Sequence, residues 1–175
     1  MNKIFPLIDR ISDSSLLART VSCWEEAVKK GGWTKDDLYK IPFTLLTAEY
    51  KPSIVTHTNG VAESAVATAE VLKRIYGNHV KIDMDILISG AILHDVGKVL
   101  EYAEKDGKYR KSELGKLVRH PVSGAALAAE MGLPAEVQHI IATHSYEGDK
   151  TPRTVESVLV HHADFANFEA LGGKA

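Results

Sequence analysis

The segment between residues 83 and 100, DMDILISGAILHDVGKVL, constrains the fold more than any other part of the chain. It begins with acidic residues that suit a helix N-terminus and is then apolar on almost every side, which predicts a helix buried at the centre of the molecule. One face of that helix carries Leu87, Gly90, Ala91 and His94. Since Lys98 follows His94 by four residues, we expect this polar pair at the end of a buried rod.

Helical patterns account for most of the remaining chain. Further helices are predicted after a capping Asp13, from Ser53 to Gly77, from Pro121, from Pro134 and from Thr154. Asp106 and Gly107 give a turn signal between partly alternating flanks, so residues 99–112 form either a small hairpin or an exposed loop. Almost no strand pattern competes elsewhere, which predicts an all-α bundle of about six to eight helices.

The length of 175 residues favours one compact domain. Within it, residues 1–52 are predicted to form an N-terminal helix and a connecting arm, in which Pro42 and Pro52 prevent a continuous helix. Residues 53–175 are predicted to carry the functional bundle. The formal net charge of −2 disfavours a chromatin-like or polybasic membrane partner.

The cysteine content and the N-terminus bear on the cellular compartment. Because Cys23 is the single cysteine, the chain can form neither an internal disulfide nor a thiolate zinc site. Charged residues interrupt the apolar stretch of MNKIFPLIDRISDSS, so no signal peptide is expected, and no segment approaches the ~20 apolar residues of a membrane span. We therefore expect a cytoplasmic protein with no membrane partner.

Histidine and aspartate recur near the predicted helix ends. The candidate metal ligands are His57, His94, Asp95, His120, His144 and Asp164. Imidazole and carboxylate donors suit Fe, Mn, Co, Ni or Zn, of which we expect Fe or Mn, and the lack of thiolates disfavours structural zinc. If Asp95 bridges two divalent ions, it divides the other ligands into two sets: His57, His94 and Asp164, and His120 with His144.

The ordered pattern H, HD, H, H, D resembles that of the two-metal branch of the HD-domain superfamily of metal-dependent phosphohydrolases. The resemblance rests on the strings HTNGVAESA, GAILHDVGKV, RHPVSGAA and VHHADFANFEA and covers roughly residues 53–170. It implies a helical HD domain in residues 53–175, metal ligation by the six side chains, and a catalytic role for Asp95. Lys98 matches a lysine that contacts the anionic or hydroxyl group of the substrate in several branches, which implies a catalytic and substrate-binding role.

Individual strings resemble particular branches of the superfamily. The HP-x-x-G string that starts at His120 is similar to that of cyclic-dinucleotide phosphodiesterases, although the GYP signature of that branch is absent. HDVGK and VHHAD are similar to certain bacterial exoribonucleases, but the chain has no room for their nucleic-acid-binding domain. We therefore expect a small, anionic substrate in preference to a nucleic acid.

Four further residues near the ligands are candidate substrate contacts. Arg119, Tyr146 and Arg153 flank the ligand segments and offer phosphate-binding groups, and His161 lies one turn before Asp164. Each also has an ordinary interpretation. Arginine and tyrosine in loops are commonly solvated, and His161 fits either the pocket lining or a hydrogen bond to a metal ligand.

Three functions are compatible with this ligand set. The expected one is hydrolysis of a phosphate monoester or diester of a nucleotide or small metabolite by a metal-activated hydroxide. The second is a mixed-valence di-iron oxygenase acting on a small polar metabolite, because HDVGKVL resembles the corresponding stretch of inositol oxygenase. The third is a non-catalytic regulatory module, although none of the six ligand positions is missing. A homodimer is a candidate assembly for a helical bundle of this type.

Overall fold

The computed structural model describes residues 1–46 and 52–173 of the chain. Residues 47–51 of the predicted connecting arm and residues 174–175 of the predicted bundle lie outside these ranges. Within them the α-helices are, in chain order, α1 (Ser14–Gly31), α2 (Ile54–Tyr76), α3 (Met84–Leu93), α4 (Lys98–Glu101), α5 (His120–Glu130), α6 (Ala135–Thr143) and α7 (Val155–Ala170). This architecture confirms the predicted all-α bundle. None of the helices in the described ranges combines the length and the apolar character that a membrane crossing requires.

Several helices begin where the sequence supplies a side-chain cap. The carboxylate of Asp13 accepts two backbone N–H groups in the first turn of α1, and the hydroxyl of Ser53 accepts one in the first turn of α2. These caps satisfy N–H groups that have no partner within the helix. Gly32 follows α1 in the left-handed conformation, with φ of 73°. Glycine adopts this conformation without a steric cost, and the helix therefore ends there.

Helix α3 lies at the centre of the molecule, as its sequence predicts. Every residue from Leu87 to Leu93 is buried, and α1, α2, α6 and α7 all pack against the helix. A side chain would not fit at Gly90, because an added Cβ would lie 2.4 Å from Cδ1 of Ile140 in α6. The glycine therefore allows α3 and α6 to approach closely.

Helix α3 is shorter than its apolar pattern predicts. It ends at Leu93, with His94 as its C-cap; a turn occupies residues 94–97, and Lys98 begins the separate single turn α4. The prediction of one rod that carries both His94 and Lys98 was therefore wrong. In the turn the backbone hydrogen bonds span one residue fewer than in an α-helix, from the N–H of Val96 to the carbonyl of Leu93 and from the N–H of Lys98 to that of Asp95. Gly97 there packs directly against the backbone of His120 at the start of α5.

The segment that the sequence leaves open between a hairpin and a loop forms a hairpin. Strand β1 (Tyr102–Lys105) pairs antiparallel with strand β2 (Lys108–Lys111). At the turn, Asp106 and Gly107 have φ of 56° and 71°. Two successive residues with positive φ are typical of the two-residue turns that match the twist of a hairpin.

The N-terminal segment packs against the part of the bundle that carries the candidate ligands. Trp24 of α1 is fully buried, and its indole N–H donates to the carbonyl of Ile92 over 3.0 Å. The indole N–H of Trp33 donates to the carbonyl of Val99 over 2.8 Å. These two contacts lie on either side of the turn at residues 94–97, so residues before the predicted bundle hold the backbone around His94 and Asp95.

Candidate metal centre

The six candidate ligands come from five separate segments and meet inside the bundle. They are His57 in the first turn of α2, His94 and Asp95 directly after α3, His120 at the first position of α5, His144 directly after α6, and Asp164 within α7. Five of them are buried, and the side chain of Asp164 is 15% exposed. The bundle therefore brings together residues that are up to 107 positions apart in sequence.

The first group of ligand atoms belongs to His57, His94 and Asp164, and these atoms all lie within 4.8 Å of one another. Oδ1 of Asp164 lies 3.0 Å from Nε2 of His57 and 3.9 Å from Nε2 of His94. Oδ2 of Asp95 faces the same group, 3.5 Å from Nε2 of His57 and 3.4 Å from Nε2 of His94. Two imidazoles and two carboxylates thus point to one position.

The second group consists of Asp95, His120 and His144, whose ligand atoms also lie within 4.8 Å of one another. Oδ1 of Asp95 lies 3.3 Å from Nε2 of His120 and 3.6 Å from Nε2 of His144. The two Nε2 atoms are 3.3 Å apart. The two oxygens of Asp95 therefore face different groups, which is the arrangement that a bridging carboxylate requires.

Hydrogen bonds on the far side of the rings orient three of the four histidines. Nδ1 of His94 and Nδ1 of His144 donate to backbone carbonyls three residues earlier, over 2.6 and 2.8 Å. Nδ1 of His120 donates to the carboxylate of Glu101 over 2.9 Å. Because a neutral imidazole carries one proton, each Nε2 then keeps a lone pair directed into the cluster.

This arrangement of acceptors fits divalent cations. Nε2 of His94 and Oδ1 of Asp95 are buried with no hydrogen-bond partner among the described residues. The lone pairs of His120 and His144 face each other beside that same carboxylate oxygen. Buried acceptors that converge without a shared donor are costly, and a cation that they share removes the cost. Nitrogen and oxygen donors of these types suit the divalent transition metals.

Lys98 is the cation that the chain itself supplies to this cluster. Its Nζ lies 2.7 Å from Oδ2 of Asp95 and donates to the carbonyl of Phe43 over 2.5 Å. Burial disfavours the charged form of both partners, but the Lys98 ammonium holds the pKa of Asp95 well below its usual range. Burial lowers the pKa of Lys98, but Asp95, Tyr102 and Asp164 together raise it above its usual value. Both groups are therefore charged at neutral pH.

Glu101 is a residue of this centre that sequence reasoning missed. Its Oε2 accepts the backbone N–H of His120 over 2.7 Å and the ring Nδ1–H of His120 over 2.9 Å. Burial opposes ionisation of Glu101, but the hydrogen bonds from His120 and the charge of Lys111 lower its pKa to about 2. The signal that could have found it is the three-residue spacing from Asp95 to Lys98 to Glu101, which places side chains on one side of a helical turn.

A backbone contact sets the spacing between the turn that carries Asp95 and the start of α5. An added Cβ at Gly97 would lie 2.2 Å from the carbonyl oxygen of His120 and 2.8 Å from the backbone nitrogen of Gly124. No residue with a side chain fits at Gly97 without moving one of these segments. The glycines of the HDVG and HP-x-x-G strings are therefore explained by the close approach of two ligand-bearing segments.

A cavity of about 360 Å³ opens beside the ligand cluster. Its lining includes Lys98, Arg119 and Tyr146, which are three of the predicted substrate contacts. The guanidinium carbon of Arg119 lies 4.4 Å from the centroid of the Tyr146 ring, and Nε of Arg119 lies 2.7 Å from a carboxylate oxygen of Glu147. The stacked and ion-paired Arg119 therefore has a defined position at the cavity wall.

The other two predicted substrate contacts, Arg153 and His161, are placed differently. Arg153 donates to the backbone carbonyls of Thr143 and Ser145 over 2.8 and 3.0 Å. Nδ1 of His161 donates to the carbonyl of His144 over 2.6 Å. Neither residue belongs to the described lining of the cavity. In the structure both bind the backbone around His144 instead of facing the cavity.

Comparison with known proteins shows several relatives. Dihydroneopterin 2′,3′-cyclic phosphate phosphodiesterase of Methanocaldococcus jannaschii is 33% identical over 120 residues, which cover 67% of this chain and 47% of that protein. The 3′-5′ exoribonuclease YhaM of Bacillus pumilus is 31% identical over 132 residues, which cover 67% of this chain and 42% of that protein. Ribonuclease Y of Acidothermus cellulolyticus is 33% identical over 109 residues, 62% of this chain and 19% of that protein. The chain therefore spans less than half the length of these relatives.

The family comparison agrees with the fold and with the order of the ligands. No solved structure gives a significant match to the chain. The sequence profile described as HD domain matches residues 54–165, which is more than half of the chain and includes all six candidate ligands in the order H, HD, H, H, D. Helix α1 and Phe43 lie outside the matched range. From the profile match and the helical fold together, the chain belongs to the HD domain family.

Proposed function

We propose that this protein is a metal-dependent phosphohydrolase that cleaves a phosphate monoester or diester of a nucleotide or small metabolite. The observation that carries the proposal is the position of Asp95, whose two oxygens lie 3.3 to 3.6 Å from four imidazole nitrogens in two separate groups. The names of the relatives, a phosphodiesterase and two ribonucleases, support cleavage of a P–O bond.

The cofactor in this proposal is a pair of divalent cations, with Fe or Mn favoured and Co, Ni or Zn using the same donors. One cation is assigned to His57, His94 and Asp164, the other to His120 and His144, with Asp95 between them. Bound divalent cations lower the pKa of water and offset charge on a phosphoryl group. Burial lowers the pKa of two of these imidazoles, that of His57 and that of His120, the latter to about 4, which favours their neutral, metal-binding form.

Lys98 is assigned to the phosphoryl group of the substrate. An ammonium has three donors; that of Lys98 donates one hydrogen bond to the carbonyl of Phe43 and faces Asp95 in an ion pair. The third is left for a phosphoryl oxygen in the cavity that Lys98 lines. A fixed positive charge in a partly dry site favours the negative charge that develops on phosphoryl oxygens during transfer. Asp95 orients this ammonium through the ion pair at 2.7 Å.

The remaining predicted contacts divide into two roles. We assign Arg119 and Tyr146 to substrate binding, because both line the cavity and stack on each other. Arg153 and His161 are assigned to support of the segment that carries His144, because their donors bind backbone carbonyls there. Loss of either supporting residue should therefore change metal binding before it changes substrate affinity.

The proposed substrate is a small anionic molecule. Two relatives are named ribonucleases, so RNA belongs in the substrate panel as the competing substrate class.

We place residues 1–52 and 53–175 in one domain because Trp24 and Trp33 contact the backbone on both sides of the ligand turn. We place the protein in the cytoplasm because Cys23 is a free, buried thiol. The homodimer stays a prediction.

The test is elemental analysis of the protein purified without a histidine tag, followed by assays with the identified metal restored. The panel contains a phosphate monoester, a phosphodiester, a 2′,3′-cyclic phosphate and an RNA oligonucleotide, each with and without dioxygen. We expect two metal ions per chain and phosphate-ester cleavage that does not require dioxygen. Asp95→Ala should lose both metal and activity, whereas Asp9→Ala, which removes an exposed carboxylate, should keep them.

Two results would replace the proposal by its alternatives. Product formation that depends on dioxygen with reduced iron would assign the centre to the oxygenase reaction. Full retention of metal and function by Asp95→Ala would assign the chain to a regulatory module without catalysis.

A further inference from the structure

The cavity beside the proposed metal ligands has two chemically different parts. The apolar part is formed by Phe43, Leu45, Leu46, Phe165 and Phe168. The charged part is formed by Glu101, Lys111, Arg119 and Asp149. Lys98, His120 and Asp164 also line the cavity, so the proposed reacting centre opens into the same space. A substrate bound there contacts both kinds of surface.

The aromatic wall, which we define as Phe43, Phe165 and Phe168, stands next to the first ligand group. The centroid of the Phe43 ring lies 4.3 Å from that of His57 and 6.2 Å from that of Phe168, and the two phenylalanines meet edge to face. Phe43 is fully buried, whereas Phe165 and Phe168 are partly exposed. One ring is thus fixed by packing, and the other two leave ring surface open to the cavity.

The aromatic wall is tied to the reacting end through Lys98. Nζ of Lys98 donates to the backbone carbonyl of Phe43 over 2.5 Å and lies 5.5 Å from the centroid of the Phe43 ring. The same Nζ lies 2.7 Å from Asp95. A phosphoryl group held by Lys98 therefore lies close to Phe43, the buried member of the aromatic wall.

The charged part of the cavity is largely neutralised by the chain itself. Nζ of Lys111 lies 3.5 Å from a carboxylate oxygen of Glu101, and Nε of Arg119 lies 2.7 Å from one of Glu147. A nucleic-acid backbone is bound by several cations whose charge it neutralises, and these two cations already have carboxylate partners. The volume of about 360 Å³ is near the lower end of the range of ~300–1,000 Å³ that is usual for small-molecule pockets. Both observations favour a small ester.

Aromatic side chains whose rings are partly exposed in a pocket favour a ligand that itself carries an aromatic ring. Two aromatic rings attract each other in stacked or edge-to-face arrangements with centroids ~4.5–7 Å apart, beyond the effect of the apolar area that they bury. Phe165 and Phe168 offer such ring surface beside Asp164. We infer that the substrate is a phosphate ester whose organic group carries a planar aromatic ring, and that this ring binds against Phe165 and Phe168. The inference rests on the proposed function.

The experiment measures equilibrium binding by calorimetry to the metal-loaded protein, so that it does not depend on turnover. The probes are propylphosphonate, 3-phenylpropylphosphonate and 3-cyclohexylpropylphosphonate, whose C–P bond is not an ester bond. We expect the phenyl compound to bind about 10-fold more tightly than the propyl compound, with the cyclohexyl compound between them, because its ring is apolar but not planar. In the Phe165→Leu/Phe168→Leu double variant, which keeps apolar bulk, the phenyl preference over cyclohexyl should disappear. Tyr76→Leu, at an exposed aromatic residue outside the cavity, is the matched control and should preserve the preference.

Equal affinities for the phenyl and propyl compounds would overturn the inference. A phenyl preference over cyclohexyl that survives in the double variant would also overturn it, because the ring would then bind elsewhere. Hydrolysis of propyl phosphate by the same metal-loaded protein is assayed in parallel. If that ester is hydrolysed while the phosphonate affinities are equal, the aromatic site is refuted and the proposed function stands.

Discussion

A single oxygen of Glu101 accepts both the backbone N–H and the ring N–H of His120, over 2.7 and 2.9 Å. The imidazole of His120 is therefore fixed relative to its own backbone, with Nε2 directed at Asp95. The other oxygen of Glu101 faces Lys111 of the hairpin at 3.5 Å. The hairpin is thus connected to the candidate metal centre through one buried carboxylate.

Replacing Glu101 by Ala should weaken the binding of one metal ion more than that of the other. Removal of a group that orients a metal-bound histidine typically costs about 10–100-fold in metal affinity, and Glu101 contacts the second ligand group through His120. Calorimetric titration of metal into the metal-free variant checks this. Glu104→Ala, at an exposed position of β1, is the control. Equal weakening of both ions would show that Glu101 acts on the fold and not on His120.

Removal of the metal should lower the melting temperature. A ligand that binds only the folded state stabilises it by about 2.7 kcal/mol when its concentration is one hundred times its Kd. In a chain of this size each kcal/mol changes the melting temperature by roughly 2–4 °C. We therefore expect a decrease of about 5–11 °C. Scanning calorimetry with and without a chelator measures the change. Asp95→Ala should melt at the same temperature in both conditions. An equal melting temperature of the wild-type protein with and without the chelator would argue against metal binding in the cluster.

Parts of the fold and of the site follow from the sequence because they depend on local chemistry. Asp13 caps α1 as expected, since a capping side chain reaches only its own first turn. The six candidate ligands lie at the start of α2 and of α5, directly after α3 and α6, and within α7, and the packing of these helices brings the positions together.

Other parts depend on contacts between distant segments. Glu101 sits among other charged residues in KVLEYAEK; its three-residue spacing from Lys98 and Asp95 is suggestive, but its contact with His120 depends on the position of α5. The roles of Arg153 and His161 depend on the path of the backbone around His144, which residue type does not reveal. The Phe43 carbonyl is a backbone group, and its contact with Lys98 has no signature in side-chain patterns.

Gly90→Ala should destabilise the protein by about 1–3 kcal/mol through overpacking, although alanine favours an isolated helix by about 1 kcal/mol. The added Cβ would lie 2.4 Å from Cδ1 of Ile140, inside the core. Urea denaturation gives the free energy of unfolding. Gly60→Ala is a matched control in α2, because its Cβ would meet only the side chain of Asn167, at 2.9 Å. Similar free energies for both variants would contradict the close α3–α6 contact.

Cys23 should not react with thiol reagents in the folded protein. It is fully buried, and burial, aided by the charge of Glu130, raises the pKa of its thiol to about 12. Since the thiolate is the reactive form, labelling by an aromatic disulfide reagent at pH 8 should be negligible until denaturant is added. Absorbance of the released thiol reports the reaction. Rapid labelling of the native protein would mean that α1 opens readily from the bundle.

Asp37→Asn should reduce the decrease in the free energy of unfolding that accompanies acidification. The Thr34 hydroxyl and backbone N–H donate to the Asp37 carboxylate and, with Lys40, lower its pKa to about 2. Because the folded-state pKa is the lower one, the contribution of Asp37 to stability is complete above pH ~4 and is lost as the pH falls from there through about 2. Urea denaturation at several pH values compares this variant with Asp36→Asn. If the unfolding free energy of Asp37→Asn depends on pH as it does in the wild type, the Asp37 carboxylate does not cause the loss of stability in acid.

The contact at Gly97 has a consequence for how the protein tolerates change. There the turn that carries Asp95 meets the start of α5 main chain to main chain, with no side chain between them. The distance between the turn that carries Asp95 and the start of α5 is therefore set by the backbone, whose geometry is nearly invariant, and not by apolar side chains that other apolar side chains could replace. Apolar substitutions in the surrounding interior should therefore leave the separation of the two halves unaltered, whereas any side chain at position 97 should change it.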